Sequence, residues 1–218
     1  MLPLLLGKWG LPGTNNGERE SMALTSLVPG LPAGENPVTL SIPAYQWVNA
    51  VDHGHTMTAT NSGLVGGDEL GTDIKFIWNY GSNVMMGQHA DINDSLRIYN
   101  LPDEKDSGVR MIVTVDPWMT PTAMASDIIL PGTTPFEEDD LTTGGTAWTG
   151  FICCESKAIE PLFEAKPVYE ICTLLADALG IKDEFTEGKT QLDWIEWCYN
   201  EGKAAGDDLP DTFEEFRA

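Results

Sequence analysis

Two short polar clusters in this 218-residue chain carry residue types that can hold a nucleotide. In Gly81-Ser82-Asn83, the glycine lets backbone N–H groups close on an anion, the serine donates a hydroxyl, and the asparagine both donates and accepts. In Val115-Asp116 a carboxylate can accept from two adjacent donors, as the N1–H and 2-amino edge of guanine presents them. Such charge-assisted bonds contribute about 1.5–3 kcal/mol net. Thr120 to Ser126 reads as a helix of about two turns, whose N-terminus favours a nearby phosphate. Each cluster also has a plain structural reading. Asp116 before Pro117 can start a turn, and Asn83 can cap the helix that follows.

No catalytic constellation stands beside these clusters. The chain has no Gly-x-Ser-x-Gly elbow, no His-Glu-x-x-His, and no Gly-x-Gly-x-x-Gly after a strand. Neither a catalytic residue nor a metal ligand is therefore assigned. Asp52-His53-Gly54-His55 invites a metal reading, but a glycine C-cap with histidines complementing a helix dipole is favoured. The cysteines Cys153, Cys154, Cys172 and Cys198 include no Cys-x-x-Cys pair and read as buried free thiols. The acids Glu137 to Asp140 can bind a hard cation, though a solvated loop is favoured. The glycines from Gly7 to Gly17 either line a cofactor or interface or form a helix C-cap and turn. They are not a phosphate loop, since no Lys-Ser/Thr follows them.

Three apolar runs position the clusters. Ile74 to Tyr80 and Val109 to Val115 read as strands, and Asp127 to Pro131 as a third, with a helix over Ile92 to Ile98. Strand, helix, strand, short helix, strand is a parallel, right-handed arrangement whose strands, apolar along their length, should be covered on both faces. Loops closing such strands form the crevice where open α/β sheets take ligands. The predicted fold is α/β, three-layered, with a mainly parallel sheet and flanking helices.

Around this centre the chain predicts a glycine- and proline-rich entry segment over 1–40, with a surface loop at 22–40. A helix capped by Ser41 with Pro43 in its first turn should present Ala44, Trp47, Val48 and Val51. Trp148 to Cys154 can be extended. The clearest helix opens at Pro167, with Val168, Ile171, Cys172, Leu174, Leu175, Ala178 and Leu179 on one side and Gly180 as its stop. Thr190 to Asp193 resembles a capping box for a helix through Tyr199. A polar linker at 200–208 and a short acidic helix from Pro210 complete a helical extension over 190–218.

Composition narrows the function classes. The net charge is −22, and it is uneven: residues 1–100 carry 4 Lys/Arg against 9 Asp/Glu, and the remainder 8 against 25. That field repels phosphate backbones and excludes nucleic acid as a partner. It reads as a solubility or salt adaptation. No run of about 20 apolar residues is present to span a membrane, and the apolar start at Met1 to Leu6 lacks the basic flank of a signal peptide.

Several motifs in order resemble the molybdopterin oxidoreductases of the dimethyl sulfoxide reductase family. They are Leu5-Leu6-Gly7 through Gly13, Asn16 to Ser21, Ile74 to Asn83, Gln88 to Asn93, Asp116 through Thr120-Pro121-Thr122-Ala123, and Asp127 to Pro131. Phe185 to Gln191 followed by Trp194 is similar to the catalytic subunits of the anaerobic branch. The resemblance covers nearly the whole chain. It implies a single cofactor-binding domain over 1–218, like the third of four domains in a larger enzyme.

That parent enzyme would carry molybdenum on two molybdopterin guanine dinucleotides and an iron–sulfur cluster outside this chain. It would reduce an S-oxide or N-oxide in anaerobic respiration. Gly81, Ser82, Asn83, Val115 and Asp116 would be the cofactor-binding residues, with Asn83 matching the asparagine that contacts the cofactor and Asp116 facing the guanine. Two positions depart from the pattern: Glu138 stands near where many relatives have a lysine, and Lys166-Pro167-Val168 lacks the aspartate of some relatives. The cluster cysteines, the molybdenum ligand and the C-terminal barrel are absent, so the sequence reads as an inactive fragment. Its expected partners are the remaining domains, an iron–sulfur electron-transfer subunit and a membrane anchor. The parent would be exported and membrane-associated, and the fragment would tend to self-associate through the apolar residues around Leu2 to Trp9. Without the resemblance, the residues also fit a stand-alone guanine-nucleotide-binding module, or a metal-free structural relative.

Overall fold

A computed structural model describes residues 5–8, 11, 28–87, 89–100, 108–143 and 152–217. The chain divides into two compact units: residues 32–138 with 157–188, and residues 1–31 with 139–156 and 189–218.

The larger unit is built on a three-stranded parallel sheet in the order β1 (Phe76–Tyr80), β2 (Met111–Asp116), β3 (Ile128–Pro131). The expected strand–helix–strand order is therefore present, with Ile92–Tyr99 as the first crossover helix. Asp91 starts that helix, its carboxylate accepting from the Asp94 N–H at 2.9 Å. One face of the sheet carries Ile77 and Ile112, which pack with Val48, Val51, Met85, Ile98 and Tyr99. In chain order the helices are α1 (Trp47–His53), α2 (Ala59–Ser62), α3 (Val84–Gly87), α4 (Ile92–Tyr99), α5 (Pro121–Met124), α6 (Val168–Leu179) and α7 (Lys182–Thr186).

The opposite face departs from expectation. Only β2 is covered on both sides. In β1, alternate residues Phe76, Trp78 and Tyr80 are exposed, and so is Ile128 in β3 on the same face; Ile129, on the other face at the end of the sheet, is exposed as well. An all-apolar strand need not be a doubly covered one, because aromatic and β-branched residues favour strands whether or not a second layer meets them.

Several boundaries also differ. The first helix begins at Trp47, because Ser41 is drawn into a bridge with Val65, its N–H donating to the Val65 carbonyl at 2.8 Å. Gly54 does not take the left-handed cap conformation (φ −53°). Its lack of a side chain instead lets the Thr72 carbonyl approach, since a Cβ there would lie 2.3 Å from that oxygen. Between α1 and β1 the chain folds back through α2, held by a Thr58/Asn61 capping box that sequence periodicity does not reveal. Gly180 does stop α6, with φ +76°. Most of the apolar side of α6 is uncovered: Leu174, Leu175 and Leu179 are exposed.

The smaller unit pairs β4 (Asp140–Thr143) with β5 (Ile152–Glu155) in antiparallel register, Leu141 opposite Cys154. Thr190 and Asp193 form the expected capping box of α8 (Gln191–Ala205). That helix runs through the stretch expected to be a polar linker and ends at Gly206 (φ +91°). Its buried Cys198 and Tyr199 join Val28 and Leu209 in a core, so a face mixing polar with apolar residues still propagates as helix. The last helix, α9, starts at Phe213 rather than Pro210. Tyr199 donates its hydroxyl to the Pro210 carbonyl at 2.7 Å, ordering that turn. All four cysteines are free, but only Cys198 is buried; Cys153 is exposed, and Cys154 and Cys172 are half-buried. Of the glycines from Gly7 to Gly17 only Gly7 lies within the described residues, and Trp148 to Phe151 lie outside them.

Candidate functional site at the strand ends

The parallel register sets Tyr80 beside Val115 and Asp116 beside Pro131, so all three strands end together. Gly81 continues the ladder by one bond, its N–H donating to the Val115 carbonyl at 2.9 Å. It does so at φ +55°, where an L side chain is strained even though a Cβ would meet nothing. The two expected clusters thus lie on neighbouring strands at one sheet edge.

Buried Asn79 donates its Nδ2 to the Ser82 carbonyl at 2.8 Å and shapes the turn from below. The Ser82 hydroxyl oxygen accepts from the Val84 N–H at 3.2 Å, so serine, rather than Asn83, serves the start of α3. Asn83 instead reaches across to α5. Its Oδ1 accepts from the Thr122 N–H at 3.0 Å and from the Thr122 hydroxyl at 2.9 Å. Thr122 is fully buried, and its hydroxyl oxygen accepts from the Met86 N–H at 3.1 Å. Among the described residues the Nδ2 of Asn83 has no partner, and Asn83 is exposed.

On β2, Val115 is fully buried and acts as the packed floor: a Cβ on Gly132 would touch its Cγ1 at 3.4 Å. Asp116 is 6% exposed, and its Oδ1 accepts from the Trp118 N–H at 2.8 Å. The turn reading of Asp116 is therefore present. It occupies one oxygen and leaves Oδ2 without a partner among the described residues. The Gly132 N–H donates to the Asp116 carbonyl at 3.3 Å, tying the third strand end to the second.

The short helix does not serve as an anion site. α5 is a single turn, and its first N–H groups are already taken: Ala123 donates to the Thr120 hydroxyl at 3.1 Å and Thr122 to Asn83. The acidic run is solvated only in part, since Asp140 is exposed while its first member is not. Glu137 is buried, and its Oε2 accepts from the Thr134 N–H (2.8 Å) and hydroxyl (2.7 Å) while Oε1 accepts from the Leu162 N–H (2.8 Å). Asp139 pairs with Arg217 at 3.0 Å, and Asp140 enters β4. Glu137 and Asp139 tolerate their like-charged neighbours because each finds a donor of its own.

Reading the sequence missed Thr122 and Glu137. A threonine inside a cap motif has no pattern that marks its partner, and a glutamate in an acidic run looks solvated. Among the described residues no three of His, Cys, Asp and Glu converge on a metal position. His55 instead binds Asp73, its Nδ1 lying 2.8 Å from Oδ1. The donor set at the strand ends is amide N–H, serine hydroxyl and a carboxylate oxygen, and it suits a nucleotide's guanine edge and oxygens.

A family model described as molybdopterin oxidoreductase matches residues 1–178. The whole chain is 40% identical to dimethyl sulfoxide reductase DmsA of Haemophilus influenzae, covering 26% of that protein. It is 38% identical to the DmsA of Escherichia coli strain K12, again over 100% of this chain and 26% of the relative. A dimethyl sulfoxide/trimethylamine N-oxide reductase of Rhodobacter capsulatus is 35% identical over 67% of this chain and 17% of its own length. The chain thus spans about a quarter of the length of the curated relatives it matches most fully.

Proposed function

This chain belongs to the molybdopterin oxidoreductase family, and from that premise we propose that it holds the guanine nucleotide end of a molybdopterin guanine dinucleotide. In this reading it corresponds to the third domain of a dimethyl sulfoxide reductase-like catalytic subunit. The observation that carries the proposal is the shared strand edge: the Gly81 N–H bonded to the Val115 carbonyl sets Gly81-Ser82-Asn83 beside Asp116. Asp116 Oδ2 receives the N1–H and 2-amino donors of guanine, Ser82 and Asn83 donate to nucleotide oxygens, and Val115 supports the floor. Molybdenum bound on that cofactor would supply the chemistry, a two-electron reduction that takes the oxygen atom from an S-oxide or N-oxide, and this chain's residues would bind and orient the cofactor without taking part in bond cleavage.

The rest of the enzyme follows as part of the same proposal: further domains carrying the metal ligand and cluster, an iron–sulfur partner and a membrane anchor. The uncovered faces of β1 and α6 support it, since apolar surface of that kind is normally met by another element. No helix among the described residues is long and apolar enough to cross a membrane, so anchoring in this reading rests with a partner.

The test is an NMR titration of the chain with GDP and with ADP. Weak binding that prefers GDP and is abolished by Asp116→Asn is the expected result. Equal shifts for both nucleotides, or an Asp116→Asn chain that still prefers GDP, would overturn the assignment.

A further inference from the structure

We infer that Thr122 is a positioning residue that fixes Asn83 as a donor only, so that the ligand atom meeting Asn83 is an acceptor oxygen of the nucleotide. This rests on the nucleotide-binding reading and says what that site selects for.

An asparagine amide is ambidextrous in principle, carrying an acceptor at one end and two donors at the other. At position 83 that freedom is removed from one side. The Thr122 backbone N–H is an obligatory donor 3.0 Å away, so the oxygen must face it. The Thr122 hydroxyl directs its proton to the same oxygen at 2.9 Å, because its own oxygen is accepting from the Met86 N–H at 3.1 Å. Both lone pairs of Oδ1 are then filled. Turning the amide over would set its NH2 group against the N–H of buried Thr122 and leave that donor unsatisfied, which is the costly state for a buried polar group.

The consequence falls on the opposite end. The Nδ2 group has no partner among the described residues, and Asn83 itself is exposed. Gly87 leaves the amide room, since a Cβ at that position would lie 3.1 Å from Nδ2. Asn83 therefore offers two N–H donors and no acceptor to the crevice. A phosphate oxygen or a carbonyl oxygen matches it; an amino group in the same place is refused. The neighbouring Asp116, with a spare carboxylate oxygen, has the reverse preference. The two strand ends select opposite hydrogen-bonding characters, which orients a nucleotide as well as binding it.

The experiment uses the chain, Thr122→Val, Thr122→Ser and Asn83→Asp, each with nitrogen-15 label. In the ligand-free chain and in Thr122→Ser, relaxation of the Asn83 side-chain amide should report a rigid group, and in Thr122→Val a mobile one. GDP should move the Asn83 NH2 resonances, with affinity falling roughly tenfold in Thr122→Val and recovering in Thr122→Ser, a rescue that general loosening of the fold would not give. Asn83→Asp keeps an acceptor for Thr122 but presents an oxygen to the ligand, and should lose at least as much. It serves as the decisive variant if Thr122→Val does not fold. Guanosine and inorganic pyrophosphate as separate probes tell whether the acceptor belongs to the base and sugar or to the phosphates. An amide equally mobile with and without the Thr122 hydroxyl would overturn the inference. GDP binding with Asn83 unmoved and Asn83→Asp unaffected would remove the donor role while leaving nucleotide binding standing. A locked amide in a chain that binds no GDP would sink the nucleotide reading and the donor role together.

Discussion

Glu137 and Leu162, 25 positions apart, are joined by a 2.8 Å hydrogen bond from the Leu162 N–H to Oε1 of a buried carboxylate. The other oxygen holds Thr134 by its N–H and hydroxyl, so one side chain pins the loop after β3 to a segment beyond β5. The Thr134 N–H, the Leu162 N–H and the Thr134 hydroxyl keep this carboxyl below the ordinary glutamate value of 4.5, against the upward pull of burial. A depressed carboxyl stabilises the fold fully above the unfolded value and loses that contribution as pH falls through the folded one. Glu137→Gln should therefore be less stable than the parent at pH 7 and show a flatter decline in urea midpoint below 4.5. Parallel pH profiles for the two proteins would disprove the clamp.

Gly54→Ala tests a close approach that the helix hides. At an open helical position that change stabilises by about 0.5–1 kcal/mol. Here the new Cβ would sit 2.3 Å from the Thr72 carbonyl oxygen and 2.9 Å from the Asp73 Cα. Backbone has to move, and destabilisation of about 1–3 kcal/mol is expected in thermal unfolding. An unchanged or raised midpoint would contradict the packing of α1 against the segment leading into β1.

Tyr99 stacks on Trp47 within the core of the larger unit, and its hydroxyl is buried without a partner among the described residues. Burial alone raises the phenol well above its usual value of 10. Removing an unsatisfied buried hydroxyl costs no hydrogen bond and relieves a desolvation penalty. Tyr99→Phe should be neutral or stabilising by up to about 1 kcal/mol; a clear loss in denaturant midpoint would mean the hydroxyl has a role this packing does not show.

Thiol reactivity should rank by exposure. Cys153 is exposed, while burial pushes the thiols of Cys154, Cys172 and Cys198 up and lowers their thiolate fraction. At neutral pH an aromatic disulfide reagent should modify Cys153 first and reach Cys198 only on unfolding. Cys153→Ser should abolish the fast phase. A fast phase surviving in that variant would contradict the half-buried settings of Cys154 and Cys172 and the burial of Cys198.

The local order of elements was legible in the sequence because it rests on near-neighbour chemistry. Apolar runs bounded by Gly, Asn and Pro gave the three parallel strands, Thr190 started a helix, and Gly180 ended one. The boundaries at Ser41 and over residues 200–208 were not legible. A bridge to Val65 claimed the first, and packing of Tyr199 against Leu209, Phe213 and Phe216 carried helix through the second.

The sequence by itself determined the family and the two clusters, since both reside in residue type and spacing: Gly81-Ser82-Asn83 and Val115-Asp116 each end a readable strand. Tertiary structure decided what those residues have left to offer. A hydrogen bond between positions 39 apart consumes the acceptor of Asn83, and one within a turn consumes half of Asp116. Sequence spacing cannot register either loss. Which lone pairs remain free depends on where the chain brings a buried donor, and that is fixed only when the sheet register sets Tyr80 beside Val115 and α5 beneath Asn83.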